Sequence, residues 1–285
     1  MAEHVVLAVA QPDRPSGRGM KLQASPVKAA AVELGIPVET PEKAREPSFV
    51  SRLRALDADF LLVASYGQIL SMGVLESARQ GGINLHGSLL PRFRGAAPIQ
   101  RAIELREAET GITLMQMDRG MDTGEMIAKV ATPIGADETY GELQDRLAAM
   151  AAEMIAEWAP RIASGDYPRE AQNSALATLA PKISREETQL RFSEDATRAY
   201  ARFRAFSPSP GSFLETRLGR IRLSEARLGS VFGPVGEVLA VGPELTIGFA
   251  NGSVELRELQ PEGKRRMRGR DWANGARLRV GDSLV

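Results

Sequence analysis

The strongest constraint on this chain is a change of rhythm about two thirds of the way along it. Up to Ser164, short uninterrupted apolar runs alternate with helical periodicities; beyond residue 184, short strands follow one another at close spacing. The runs Val5 to Ala10 and Phe60 to Ala64 are continuous rather than alternating, as strands covered by helices on both faces are, and Ile83-Asn84-Leu85-His86 is a third strand. Between them, Ser25-Pro26 opens a helix that runs to Leu34 and closes at Gly35, and Ile36-Pro37-Val38 is a short strand. Pro47-Ser48 opens a second helix to Leu56. This order predicts an α/β domain with a Rossmann-like, mostly parallel sheet.

Thr113 to Met117 and Met126 to Val130 read as strands around a glycine-punctuated turn, Asp118 to Gly124. A long helix follows from Thr139 to Ser164, with Leu143, Leu147, Met150, Met154, Ile155 and Trp158 on one side. Periodicity is then lost, which marks a linker over residues 165–184. After a helix from Asp195 to Phe206, five short strands (Ser212 to Thr216, Arg220 to Ala226, Gly236 to Val241, Leu245 to Phe249, Ser253 to Gln260) predict a small barrel or sandwich. The expected organisation is a catalytic domain over 1–164, a linker over 165–184 and a β-rich domain over 185–285.

With no cysteine, disulfide scaffolds and cysteine-zinc modules are excluded. No apolar run approaches the roughly 20 residues of a membrane helix, and the start lacks the features of a secretory signal, so the cytoplasm is expected. A net charge of zero hides an asymmetry: 18 basic and 23 acidic residues up to Ala180, then 18 basic and 13 acidic. The C-terminal excess gathers at Lys264, Arg265, Arg266, Arg268 and Arg270, a cluster that suits either a polyanion or a solvated loop.

The densest polar, glycine and proline cluster begins at a strand end, Asn84-Leu85-His86-Gly87-Ser88-Leu89-Leu90-Pro91-Arg92-Phe93-Arg94-Gly95. Asn84 and His86, two apart, share a strand face, and the carboxyl ends of parallel strands line ligand crevices. The second loop, Asp118 to Glu125, adds the carboxylates Asp118 and Asp122. A carboxylate beside an imidazole fixes its tautomer and raises its basicity, while an amide can donate to an oxyanion; together they suit acyl transfer. No Gly-x-Ser-x-Gly elbow, Walker loop or Gly-x-Gly-x-x-Gly fingerprint is present, and one histidine with two carboxylates is too small a ligand set for a catalytic zinc.

The block Asn84 to Gly95, followed by Asp118-x-Gly120-x-Asp122-Thr123-Gly124, resembles the 10-formyltetrahydrofolate-dependent formyltransferases. Gln11 to Gly19, Ser25-Pro26-Val27-Lys28 and Gly95-Ala96-Ala97-Pro98-Ile99-Gln100 narrow the likeness to the members that formylate methionyl-tRNA. The resemblance implies catalytic roles for Asn84, His86 and Asp122. It implies a folate site along Tyr66-Gly67-Gln68-Ile69-Leu70 and Ser88-Leu89-Leu90-Pro91, and tRNA contacts at Arg14, Arg18, Lys21, Lys182, Lys264, Arg265 and Arg266. It further implies an OB-like C-terminal barrel, initiator methionyl-tRNA and the folate donor as partners, no metal, and a monomer. The alternatives are a formyltransferase acting on a sugar nucleotide or purine precursor, and a catalytically dead tRNA-binding protein.

The last alternative arises from one departure. Members of the family begin with a strand of the Phe-x-Gly-Thr-Pro-x-Phe type and a helix, ahead of the residues matching His4-Val5-Val6, and the sequence lacks both. The resemblance makes that strand an interior one, so unpaired backbone, an exposed apolar face and a start lying upstream are expected, with activity of the shortened chain left open.

Overall fold

A computed structural model describes residues 4–16 and 21–285. The chain forms two compact units: one of 1–94, 112–130 and 149–177, the other of 95–111, 131–148 and 178–285. Among the described residues, no helix is long and apolar enough to cross a membrane.

The first unit opens with β1 (Ala8–Val9), the paired β2 (Arg14–Ser16) and β3 (Lys21–Gln23), α1 (Pro26–Glu33) and β4 (Val38–Glu39). α1 starts where expected because the Ser25 hydroxyl accepts from the Lys28 N–H and Pro26 fills the first helical position; Gly35, at φ 68°, lets the chain leave. α2 (Pro47–Ala55), β5 (Leu61–Val63), α3 (Met72–Leu75) and β6 (Gly82–His86) follow. Phe49 and Leu53 of α2 are buried with Ala44 and Val74, and Leu7, Val9 and Leu61 pack against the same cluster. A fully buried Leu or Phe contributes about 1.5–3 kcal/mol relative to exposure.

The pairs β1–β4 and β5–β6 are parallel, as predicted. They belong to separate sheets, β1–β4 and β5–β6–β7–β8, the latter completed by β7 (Glu109–Gln116) and β8 (Met126–Pro133) after the intervening α4 (Pro98–Glu104). β7 runs antiparallel to β6. The run from Val5 to Ala10, expected to be buried throughout, is strand only at β1 and leaves Val5 44% and Val6 53% exposed. Among the described residues, β4 alone pairs with β1, so little sheet surrounds these side chains; Leu62 of β5 is 45% exposed.

α5 (Tyr140–Ser164) matches the predicted long helix, with Leu143 and Leu147 fully buried and Met154 and Ile155 nearly so. In the second unit, β9 (Gln189–Leu190) precedes α6 (Ala196–Phe206), which is capped by the Asp195 carboxylate accepting from the N–H groups of Thr197 and Arg198. Then come β10 (Phe213–Thr216), β11 (Gly219–Gly229), β12 (Val238–Val241), β13 (Leu245–Phe249), β14 (Gly252–Pro261), β15 (Met267–Arg268) and α7 (Gly269–Gly275). The strands form one sheet in the order β12-β13-β14-β11-β10-β9, with β15 added to β14. Tyr200 and Phe203 of α6 join Leu214, Ile247, Phe249 and Leu256 in its core.

α4 packs on α6 through charge as well as shape. Arg202 of α6, 9% exposed, lies 3.7 Å from Glu104 of α4 and holds Glu194 at 2.6 Å, and Arg101 of α4 holds Glu104 at 2.7 Å and Glu187 at 2.8 Å. β9, β15 and α7 were not anticipated; they are too short to produce a readable period. Of the basic cluster, Arg268 lies in β15, which aligns Met267 with Leu259 and Arg268 with Glu258, and Arg270 lies in α7.

Candidate active site

β6 positions the first two polar groups. Parallel pairing sets Val63 beside Asn84, and antiparallel pairing sets Asn84 beside Met115 and His86 beside Thr113. The loop that follows folds back on itself: Ser88 Oγ donates to the Arg92 carbonyl at 2.7 Å, and its N–H donates to the His86 carbonyl at 2.9 Å. Thr113, fully buried, donates its hydroxyl to the Ser88 carbonyl at 2.6 Å and accepts from the Leu90 N–H at 3.0 Å. Leu90 itself is buried with Met115 and Met126. Ser88 and Leu90 therefore face inward and fix the path of the loop; Leu89 and Pro91 are half-buried.

This path carries Phe93, at φ 61°, back over the imidazole. His86 Nε2 lies 2.9 Å from the Phe93 carbonyl oxygen in a site where the histidine is 5% exposed. A carbonyl can only accept, so Nε2 carries the proton and Nδ1 is the ring atom left for chemistry. The tautomer expected from a neighbouring carboxylate is set instead by this backbone oxygen, because the loop closes tightly enough to bring it within hydrogen-bond reach.

The second loop brings the carboxylate. Asp118 accepts from the Gly120 N–H at 2.9 Å and from the Thr123 hydroxyl at 2.8 Å, so it shapes the turn rather than reaching the imidazole. Gly124 admits the close approach: a Cβ there would lie 2.0 Å from the Gln116 carbonyl oxygen. Asp122, in the left-handed region at φ 54°, has its carboxylate 17% exposed, with Oδ2 3.7 Å from His86 Nδ1 and Oδ1 3.5 Å from Asn84 Nδ2. The amide, imidazole and carboxylate thus converge from two stretches of chain. An arrangement of this kind can donate to a developing negative oxygen and pass a proton at Nδ1.

Along the other expected binding segment, Gly67, Gln68 and Ile69 line a cleft of about 310 Å³ with Gln11, Arg14, Glu42, Lys43 and Arg45. Ile69 is 95% exposed, whereas Tyr66 and Leu70 pack on the Phe49 cluster. Gln11 holds this turn, donating to the Tyr66 carbonyl at 2.8 Å, and Gln68 accepts from the Ala44 N–H at 2.9 Å. Burial pushes the Tyr66 phenol up, and its hydroxyl has no hydrogen-bond partner among the described residues.

Of the basic residues, Arg14 is exposed, Arg18 lies outside the described residues, and Lys21 begins β3. Lys182, Lys264, Arg265 and Arg266 are exposed members of the second unit; Arg266 pairs with Glu258. Sequence reasoning missed Thr113, the carbonyl of Phe93, and Gln172, which donates to the carbonyls of Asp122 and Gly124. Thr113 read as plain strand core, and Gln172 lies in the aperiodic linker, where no sequence signal marked it.

Residues 1–158 match the Formyl transferase family and residues 182–277 match the Formyl transferase, C-terminal domain. The chain belongs to the formyl transferase family. The methionyl-tRNA formyltransferase of Geobacter metallireducens is 41% identical over 283 residues, covering 99% of this chain and 91% of that protein. That of Myxococcus xanthus is 44% identical over 280 residues, covering 97% of this chain and 89% of its own length. Among solved structures, HypX from Aquifex aeolicus in complex with tetrahydrofolic acid superposes with a TM-score of 0.67 at 17% identity, covering 95% of this chain and 47% of that one. The N-formyltransferase from Helicobacter canadensis, solved with folinic acid and dTDP-3-aminofucose, gives 0.63 at 16% identity, covering 88% of this chain and 98% of its own. At these identities the likeness to solved structures is one of fold.

Proposed function

We propose that this formyl transferase moves the formyl group of 10-formyltetrahydrofolate to the amino group of methionine carried on initiator tRNA, in translation initiation. The observation that carries the reading is the convergence of Asn84, His86 and Asp122, with Nδ1 of His86 facing the carboxylate at 3.7 Å. The neutral amine attacks the formyl carbon, the bond from that carbon to N10 of the folate breaks, and the proton lost by the amine ends on N10. Asn84 donates to the oxyanion of the tetrahedral intermediate. His86 takes and returns the proton at Nδ1, while Asp122 favours its charged form during the transfer.

The folate donor is held along Tyr66, Gly67, Gln68, Ile69 and Leu70. The Tyr66 hydroxyl, buried without a partner among the described residues, is a donor suited to a polar ring, and Ser88 to Pro91 act by fixing the wall that carries His86. Arg18 contacts the acceptor arm with electrostatic support from Arg14 and Lys21, Lys182 of the linker lies near the tRNA, and Lys264, Arg265 and Arg266 meet tRNA phosphates. In this reading residues 1–164 are catalytic, 165–184 connect, and 185–285 form an OB-like tRNA-binding barrel of a cytoplasmic monomer. A sugar nucleotide or purine acceptor is not favoured by relatives at 41–44% identity that formylate methionyl-tRNA. A single-turnover assay with methionyl-tRNA and 10-formyltetrahydrofolate, run beside a filter-binding titration, tests the proposal. Formyl-methionyl-tRNA is the expected product, and binding without turnover would overturn it in favour of a dead tRNA-binding protein.

A further inference from the structure

The side-chain amide of Gln172 makes four hydrogen bonds at once. Its Nε2 donates to the Asp122 carbonyl at 2.9 Å and to the Gly124 carbonyl at 2.8 Å. Its Oε1 accepts from Nε of Arg94 at 3.0 Å and from Nη2 at 2.7 Å. Two N–H groups and two lone pairs exhaust what a carboxamide offers, so this one is a saturated four-way connector. Its backbone is anchored nearby, where Met126 and Glu170 exchange N–H to carbonyl bonds at 2.8 and 2.9 Å.

What the connector joins are the two supports of the His86–Asp122 spacing. Arg94, 8% exposed, follows Phe93, whose carbonyl holds His86 Nε2. On the other side, the bonded carbonyls belong to Asp122 itself and to Gly124, and Asp122 holds a left-handed backbone that a non-glycine residue keeps only when its surroundings impose it. One amide therefore ties the loop that orients the imidazole to the loop that presents the carboxylate, through the Arg94 guanidinium on one side and the backbone carbonyls of Asp122 and Gly124 on the other.

We infer that Gln172, braced by Arg94, is a positioning residue for formyl transfer, fixing the distance between His86 Nδ1 and the Asp122 carboxylate without touching substrate. The inference rests on the catalytic reading of those two residues. A displacement of about 1 Å in a catalytic group can cost up to roughly 100-fold in rate, so loss of the connector falls on the chemical step and not on binding.

The test uses the full-length protein, methionyl-tRNA and 10-formyltetrahydrofolate. Gln172→Leu removes all four bonds; Gln172→Glu keeps the volume and the Arg94 contact but replaces the two N–H donors with oxygen facing carbonyls. Each is expected to lower the single-turnover rate about 10-fold or more, with KM for both substrates within about two-fold. In an Asp122→Ala background neither should lower it further, because the connector then has no carboxylate left to place. A rate within about two-fold of the parent overturns the inference, as does an equal loss in the Asp122→Ala background, which would mark a general support of the fold. Failure of both variants to fold has the same meaning. If Asp122→Ala and His86→Ala alone leave the rate unchanged, it is the catalytic reading that fails.

Discussion

His86 is gripped on one side only. The Phe93 carbonyl oxygen lies 2.9 Å from Nε2, while Asp122 stands 3.7 Å from Nδ1, beyond hydrogen-bond length. At that separation no direct hydrogen bond joins the ring to the carboxylate, so Nδ1 can take the proton of the reacting amine and return it. His86→Ala and His86→Gln are both expected to lower the chemical rate by about 100-fold or more, since neither side chain titrates near neutrality. The glutamine amide reaches the position of Nε2 and can still donate to Phe93, so His86→Gln should melt close to the parent and His86→Ala below it. tRNA affinity should be unchanged in both. Single-turnover kinetics beside filter binding and thermal melting check this; near-parental rates would refute the assignment.

The Asp122 loop tolerates no side chain at Gly124, where a Cβ would sit 2.0 Å from the Gln116 carbonyl oxygen. Backbone cannot yield as the end of a flexible side chain can, so Gly124→Ala must push the loop away. The expected result is a fall in single-turnover rate of about 10-fold or more, from misplacement of Asp122. Asp118→Ala, which removes the turn's two hydrogen bonds but adds no clash, should cost less. Equal or smaller loss in Gly124→Ala would show that the loop is not held against β7.

How much of this was legible beforehand follows from which signals are local. The start of α1 was readable because Ser25, Pro26 and Gly35 each act on their own backbone. Asn84 and His86 were placed on one strand face by the period of a strand alone. Their meeting with Asp122 required the pairing of β6 with β7, which no local pattern encodes, and it came instead from the likeness to a known family. The choice between Asp118 and Asp122 depended on the Thr123 hydroxyl and the Gly120 N–H claiming the former. The proton on Nε2 was misattributed to a carboxylate because a backbone carbonyl such as that of Phe93 is present at every residue and invisible in sequence. Gln172 was hidden for the same reason, since its partners are two carbonyls and a guanidinium 78 residues away.

Thr113 offers a stability test separate from the chemistry. Thr113→Val keeps the shape but leaves the Ser88 carbonyl and the Leu90 N–H without their partner in a fully buried site. Unsatisfied buried groups cost about 1–3 kcal/mol each, so a loss of about 2–6 kcal/mol is expected in urea unfolding. A change under about 0.5 kcal/mol, the usual range of an uninvolved surface site, would show that the loop does not depend on this hydroxyl.

Glu138 links stability to pH. Burial acts to push its carboxyl up, but hydrogen bonds from Arg146 and from the Gly135 N–H outweigh it and hold the group below its ordinary value. A lowered folded value means the group stabilises the fold above the unfolded carboxylate value, near about 4.3, and that this contribution disappears as pH falls through the folded value. Glu138→Gln should therefore melt below the parent at pH 7, and the difference should shrink as the buffer is taken below about pH 4. A difference that stays constant with pH would remove charge from the explanation.

The basic segment around β15 separates free charge from charge already spent. Arg266 is paired with Glu258, whereas Lys264 and Arg265 are exposed residues of the same turn. A lysine or arginine that neutralises a tRNA phosphate steepens the dependence of log K on log salt by about 0.7–0.9. The double variant Lys264→Ala, Arg265→Ala should flatten that slope by about 1–2 and weaken tRNA binding at low salt, with the transfer rate at saturating tRNA unchanged. Arg266→Ala should flatten it less, because phosphate must compete with Glu258 for that guanidinium. An unchanged slope in the double variant would assign the cluster to a solvated turn, and the basic excess of residues 181–285 would then have to meet tRNA elsewhere.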